Sequence, residues 1–213
     1  MSPATEPLTF AWRDGEVSGV RIAATDPRAT LVLAHGSGGH KDHPTLAALA
    51  EGLAAGGITV VRFNFPYRET GKKAPDRQDV LEACYWGVAK AVADGTDRLY
   101  LGGGSMGGRI ATHITADGFP ATGLVLQSYP LHPPGKPERI RDAHLTGIGV
   151  PMLYLWGTRD SFATPDLMAA TMAKLPTATL HRLEGGDHGL KVRGRKPDEV
   201  IAELVGVIAA WIV

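Results

Sequence analysis

Tyr100-Leu101-Gly102-Gly103-Gly104-Ser105-Met106-Gly107-Gly108-Arg109 decides how the rest of the chain is read. Before it, Leu99, Tyr100 and Leu101 form an apolar run; after it, Ile110, Ala111 and Ile114 recur at helical spacing. The segment therefore reads as strand, sharp turn and helix. Gly103 to Gly107 matches G-x-S-x-G, the nucleophile elbow. A side chain lifted onto such a turn sits in strained backbone geometry, and glycines two residues to either side let strand and helix approach without Cβ clashes. Ser105 would then stand at a helix N-terminus, where free N–H groups favour a developing anion. A glycine-rich turn with an incidental serine has the same composition, so the context must distinguish the two.

Outward from this segment the chain alternates strand and helix. Toward the N-terminus, residues 8–12 and 17–24 read as a hairpin around Arg13-Asp14-Gly15-Glu16. Thr30 to Ala34 is a continuous apolar run, as in a strand buried on both faces, and it ends in His35-Gly36-Ser37-Gly38-Gly39. A helix follows with Pro44 in its first turn and Gly56-Gly57 as its stop. Residues 58–63 are the next strand, 64–75 a loop and 77–93 a helix. Beyond the elbow, 123–127 is a strand leading into a proline-rich passage at 129–137. Residues 151–156 are a strand, 165–174 a helix, 177–183 a strand and 197–211 a helix with Val200, Leu204, Ile208 and Trp211 along one stripe. This alternation predicts an α/β fold, a mostly parallel sheet with helices on both faces and an antiparallel N-terminal hairpin. The 213 residues, without repeats or linkers, suit one domain over 1–213.

Composition narrows the function. With 22 basic and 22 acidic residues and no long run of like charge, nothing recommends nucleic acid, an anionic membrane or a polyanionic substrate. The single cysteine, Cys84, excludes an intramolecular disulfide and reads as a small core residue of its helix. The N-terminus lacks the basic and apolar regions of a signal peptide, and no apolar run reaches spanning length, so a soluble, cytoplasmic protein is expected. His35, His40 and His43 lack accompanying ligands at metal-site spacing, so no metal is expected.

A serine hydroxyl needs a base within hydrogen-bond reach and a third group to orient that base. In an open parallel sheet such groups lie beyond the carboxyl ends of the strands. Asp160 follows the strand ending at Trp156, and His188 follows the strand ending at Leu183, so the chain order is Ser105, Asp160, His188. A turn or a helix cap would also use an aspartate at 160. His132 and His144 lie on the loop after Gln127 and are rival bases, although only His188 follows the last strand, flanked by glycine and preceded in chain order by an acid at a strand end. Asp187, its neighbour, reads as a turn residue. The N–H after the nucleophile belongs to Met106, and its expected partner in holding an oxyanion is the N–H of Ser37, with Gly38 as the second choice. A mobile glycine loop is the alternative there. Tyr67, Arg68 and His132 read as rim residues outside the site.

His35 to Gly39, Gly103 to Gly107, Gly157-Thr158-Arg159-Asp160 and Gly186-Asp187-His188-Gly189 together resemble the successive motifs of the α/β-hydrolase superfamily, particularly its small, lid-poor members near the dienelactone hydrolases. The resemblance runs from about residue 30 to the end. It implies acyl transfer by a serine triad of Ser105, His188 and Asp160, without a cofactor, on a small ester or thioester. The dienelactone hydrolases it resembles carry cysteine in the elbow, where this chain has serine. A non-catalytic scaffold of the same fold is the rival class. The only room for a cap is Ser128 to Val150, too little for a helical lid, which predicts an open, shallow pocket suited to short acyl chains.

Overall fold

The computed structural model describes residues 5–212; residues 1–4, read above for a leader, and residue 213 lie outside it. Eight strands form one sheet: β1 (Thr5–Trp12), β2 (Gly15–Ile22), β3 (Ala29–Ala34), β4 (Ile58–Phe63), β5 (Leu99–Gly104), β6 (Gly123–Gln127), β7 (Met152–Gly157) and β8 (Ala178–Leu183). Their spatial order is β1-β2-β4-β3-β5-β6-β7-β8. The β1–β2 hairpin is antiparallel and joins β4 antiparallel; every other pair is parallel. The order runs outward in both directions from β3 and β5. Loops at the carboxyl ends of these two neighbours therefore share one rim.

Among the described residues six helices accompany the sheet: α1 (Pro44–Ala55), α2 (Pro66–Glu69), α3 (Gln78–Ala93), α4 (Met106–Ala116), α5 (Pro165–Met172) and α6 (Pro197–Trp211). The period-2 alternation of the buried strands splits the core into two layers. Val32, Leu101, Leu126 and Tyr154 face α3, α4 and α5 on one side. Leu31, Leu33, Val125 and Leu153 face α1 and α6 on the other. Cys84 is buried in α3, and burial pushes its thiol up, far from a reactive thiolate.

Several boundaries differ from the sequence reading. β1 already includes Thr5, which pairs with Ile22, and β2 runs from Gly15 and stops at Ile22, where its ladders with β1 and β4 both end. Residues 66–69, expected as loop, form α2, with extended Phe65 ahead of Pro66 at the first helical position. β5 continues through its glycines to Gly104, because a Cβ on Gly102 would collide with Val125 O and one on Gly103 with Ala34 O, and the buried Tyr85 hydroxyl donates to Gly102 O at 2.6 Å. The passage 128–150 holds a single 3-10 turn at Leu145–Gly147, and its Tyr129, Leu131, Leu145 and Ile148 fold down into the α3–α5 layer instead of rising over the sheet. No helix among the described residues is long and apolar enough to cross a membrane.

Candidate active site

Ser105 links β5 to α4 with φ 50° and ψ −111°, a conformation that L residues rarely adopt. Two tethers hold it there. Its N–H donates to Gln127 O at 2.8 Å, and its carbonyl accepts from Arg109 N–H at 3.1 Å. The glycines beyond it are required by close approach: a Cβ at Gly107 would lie 2.6 Å from Ala34 O, and one at Gly108 would lie 2.7 Å from Gly103 O. The helix can therefore start directly against the ends of β3 and β5.

His188 reaches the serine from the loop after β8. Its Nε2 lies 2.9 Å from Ser105 Oγ, and its Nδ1 lies 2.9 Å from both carboxylate oxygens of Asp160. With Nδ1–H donated to the carboxylate, Nε2 is left as an acceptor for the serine O–H. Asp160, 2% exposed, also accepts the Phe162 N–H at 2.8 Å, so its orientation is set from two sides. The Phe162 ring then packs on the imidazole at 4.4 Å between centroids. Asp187 is a turn residue, as expected from sequence: its Oδ1 accepts the N–H of Gly189 at 2.8 Å and of Lys191 at 2.9 Å, tying down the loop that carries His188. The rival histidines lie elsewhere. His132 is buried with its Nδ1 on Pro133 O, and His144 stacks on His113 at 3.9 Å while its Nε2 meets Thr112 Oγ1.

Residues 36–39 close a turn through Gly39 N–H to Gly36 O at 2.9 Å. The two central N–H groups, of Ser37 and Gly38, have no acceptor among the described residues, and neither has the N–H of Met106 at the start of α4. Free donors of this kind, beside a nucleophile and at a helix N-terminus, are what an oxyanion needs. Ser37 and Gly38 line the cavity at Ser105; both remain candidates for the second donor.

Two residues that sequence reasoning left aside hold this turn in place. Tyr67 in α2 is buried and donates its hydroxyl to Ser37 O at 2.8 Å. Burial raises its pKa to about 12, so it stays a donor. His35, also buried, lies with Nδ1 2.8 Å from Gly36 O, while its Nε2 accepts the Phe65 N–H at 3.2 Å. That pair of contacts fixes Nδ1–H as the tautomer and needs a neutral ring, and burial lowers its pKa to about 4.

A cavity of about 560 Å³ opens beside Ser105 and His188 and runs between α1 and α6, where Leu46, Leu49, Val200 and Leu204 line it. No group of three or more residues able to hold a metal ion occurs among the described residues.

Residues 27–213 match the family described as an alpha/beta hydrolase domain. Among solved structures, an alpha-beta serine hydrolase homologue from Coxiella burnetii superposes with a TM-score of 0.79 at 18% identity, covering 98% of this chain and 97% of that one. A serine hydrolase without a lid from Xanthomonas campestris gives 0.75 at 23%, covering 97% and 94%. A dienelactone hydrolase from Anabaena variabilis gives 0.78 at 16%, covering 99% and 97%. At these identities the likeness is one of fold.

Proposed function

We propose, from the premise that this chain belongs to the alpha/beta hydrolase family, that it cleaves esters or thioesters through a covalent acyl-enzyme on Ser105. The observation that carries this reading is the unbroken chain of 2.9 Å contacts from Ser105 Oγ through His188 to the buried Asp160. In the proposed mechanism His188 Nε2 takes the Ser105 proton as Oγ bonds to the substrate carbonyl carbon. The oxygen charge that develops is held by the N–H groups of Met106 and of Ser37 or Gly38. Asp160 faces the imidazolium that forms. His188 then gives the proton to the departing alkoxide or thiolate, leaving Ser105 acylated. Water enters, loses a proton to Nε2 and attacks the acyl carbon. Collapse of that second tetrahedral species releases the carboxylic acid and returns the proton to Ser105 Oγ. Each step draws on side chains and backbone of this chain, so the proposed chemistry uses no cofactor.

Labelling with a small fluorophosphonate tests the reading directly. Wild-type protein is expected to gain one adduct on the peptide carrying Ser105, and Ser105→Ala none, with turnover of a soluble ester falling by about 10³-fold or more at unchanged fold. A non-catalytic scaffold would leave Ser105 unlabelled.

A further inference from the structure

Resting on that serine-hydrolase reading, we propose that the crevice between α1 and α6 is the acyl-chain site, suited to an unbranched acyl group of about six to eight carbons, with Leu49 and Leu204 as its end wall. Gly52 of α1 faces Val205 of α6 and Gly56 faces Ala209, so the two helices run in the same direction and touch along their C-terminal halves. A Cβ on Gly52 would stand 2.7 Å from Val205 Cγ2, which makes this the tightest point. Toward their N-termini the helices diverge, and the space between them is the cavity that reaches Ser105. It is a wedge, open at the strand ends and shut at Leu49 and Leu204.

The walls select the occupant. Leu46, Leu49, Val200 and Leu204 carry no polar side-chain atom, while the charged groups lining the cavity, Lys191 and Arg195, belong to the loop ahead of α6. Arg195 is already paired with Glu203 at 2.6 Å. The inner wedge thus favours an unbranched hydrocarbon chain over a polar group.

A closed end also decides which half of the ester enters. The alcohol or thiol departs first, while the acyl group is still bonded to Ser105 and blocks the way out. A leaving group at the bottom of the wedge would be trapped behind it, so the acyl chain takes the wedge and the leaving group the open side. Pro197 to Leu204 spans about 10 Å of helix, close to the length of an extended chain of about eight carbons. The short-acyl expectation followed from the missing cap; the wedge lies beside the sheet, between two helices, and needs no cap.

The test is a series of p-nitrophenyl esters from acetate to dodecanoate, run beside alkyl acetates of matching alcohol length. For wild type, kcat/KM is expected to climb by about fourfold per methylene over the middle of the acyl series and to peak at hexanoate to octanoate. Ile201→Trp, at a partly exposed position on the wedge, is expected to lower the octanoate-to-acetate ratio by about tenfold or more. Leu204→Ala, where it folds, moves the peak to longer chains. A wild-type preference for acetate or butyrate overturns the proposal, as does an Ile201→Trp profile identical to wild type, or a length preference confined to the alcohol series. Fluorophosphonate labelling separates the two readings. Labelled Ser105 with a flat acyl profile removes the wedge assignment alone, and unlabelled Ser105 in folded wild type removes the hydrolase reading with it.

Discussion

At the scale of single residues, position 105 combines the proposed nucleophile with backbone strain. A non-glycine φ of 50° costs about 1–3 kcal/mol, held in place by the Gln127 and Arg109 tethers and the packed glycines. Ser105→Ala and Ser105→Gly both remove the hydroxyl, but only glycine adopts this conformation freely. After the unfolded-state entropy of glycine is set against it, Ser105→Gly is expected to be more stable than Ser105→Ala by about 1 kcal/mol, or ~2–4 °C in Tm, with both inactive. His35 carries the opposite charge preference to a paired histidine. Its ring is held neutral down to about 4, whereas in the unfolded chain it protonates at 6.5. Between those values the unfolded state binds the extra proton, so stability is intact above about 6.5 and falls as pH drops toward 4. For His35 alone this amounts to about 3 kcal/mol, and His113, lowered to about 4 by burial beside His144 and Arg109, acts in the same window. Denaturant midpoints between pH 4 and 7 should therefore slope less in His35→Gln than in wild type. Ser105, Asp160 and His188 stood out in the sequence because each follows a segment that reads as a strand, in the chain order serine, acid, histidine. Tyr67 and His35 were not legible in these roles: the bonds Tyr67 to Ser37 and Phe65 to His35 each cross 30 residues, and no local pattern announces such a contact.

At the scale of elements, the parallel strands and long helices were readable because burial on both faces leaves continuous apolar runs, and one-sided burial leaves helical stripes. The hairpin ends, α2 and the glycine end of β5 were not. Four residues cannot display a 3.6-residue period, and Gly102 and Gly103 stand in a strand where only the neighbouring backbone of Val125 and Ala34 shows why no side chain fits. The wedge was hidden for a related reason. Leu46, Leu49, Val200 and Leu204 look like ordinary core positions, and only the packing of α1 on α6 reveals that their upper turns stand apart. Gly52 fixes that packing. An interior helix glycine costs about 1 kcal/mol in propensity, so Gly52→Ala or Gly52→Val would help an isolated helix. Here a side chain meets the stiff Val205 at 2.7 Å, and Gly52→Val is expected to destabilise by about 2 kcal/mol, or ~4–8 °C. A Gly52→Val melting temperature at or above wild type would mean that the helices can separate freely at this point.

At the scale of the whole molecule, the hairpin seals one margin of the sheet. Val17, Val20 and Ile22 are buried, and β2 pairs with β4, which would otherwise expose unpaired N–H and C=O groups along an apolar edge. The hairpin is also wired toward the site: Ser18 donates its hydroxyl to Glu69 in α2 at 2.6 Å, and Asn64, whose N–H donates to Ser18 O, accepts the Lys41 N–H at 2.8 Å. Val17→Asp, which places a charge under this sheet margin, is expected to lower Tm by several degrees and to promote aggregation on size-exclusion chromatography while leaving Ser105, Asp160 and His188 unaltered in sequence. The pairing of α1 with α6 has a further consequence, in time. Translation produces α1 well before α6, with β4 through β8 between them, and Arg28 meets Ala209 O only across 181 residues. A ribosome-bound chain that has already exposed Ser105, Asp160 and His188 therefore has one wall of its wedge and waits for the other. Until α6 docks, Leu46 and Leu49 lack the partner that covers them, so the proposed acyl site is exposed apolar surface in the nascent chain.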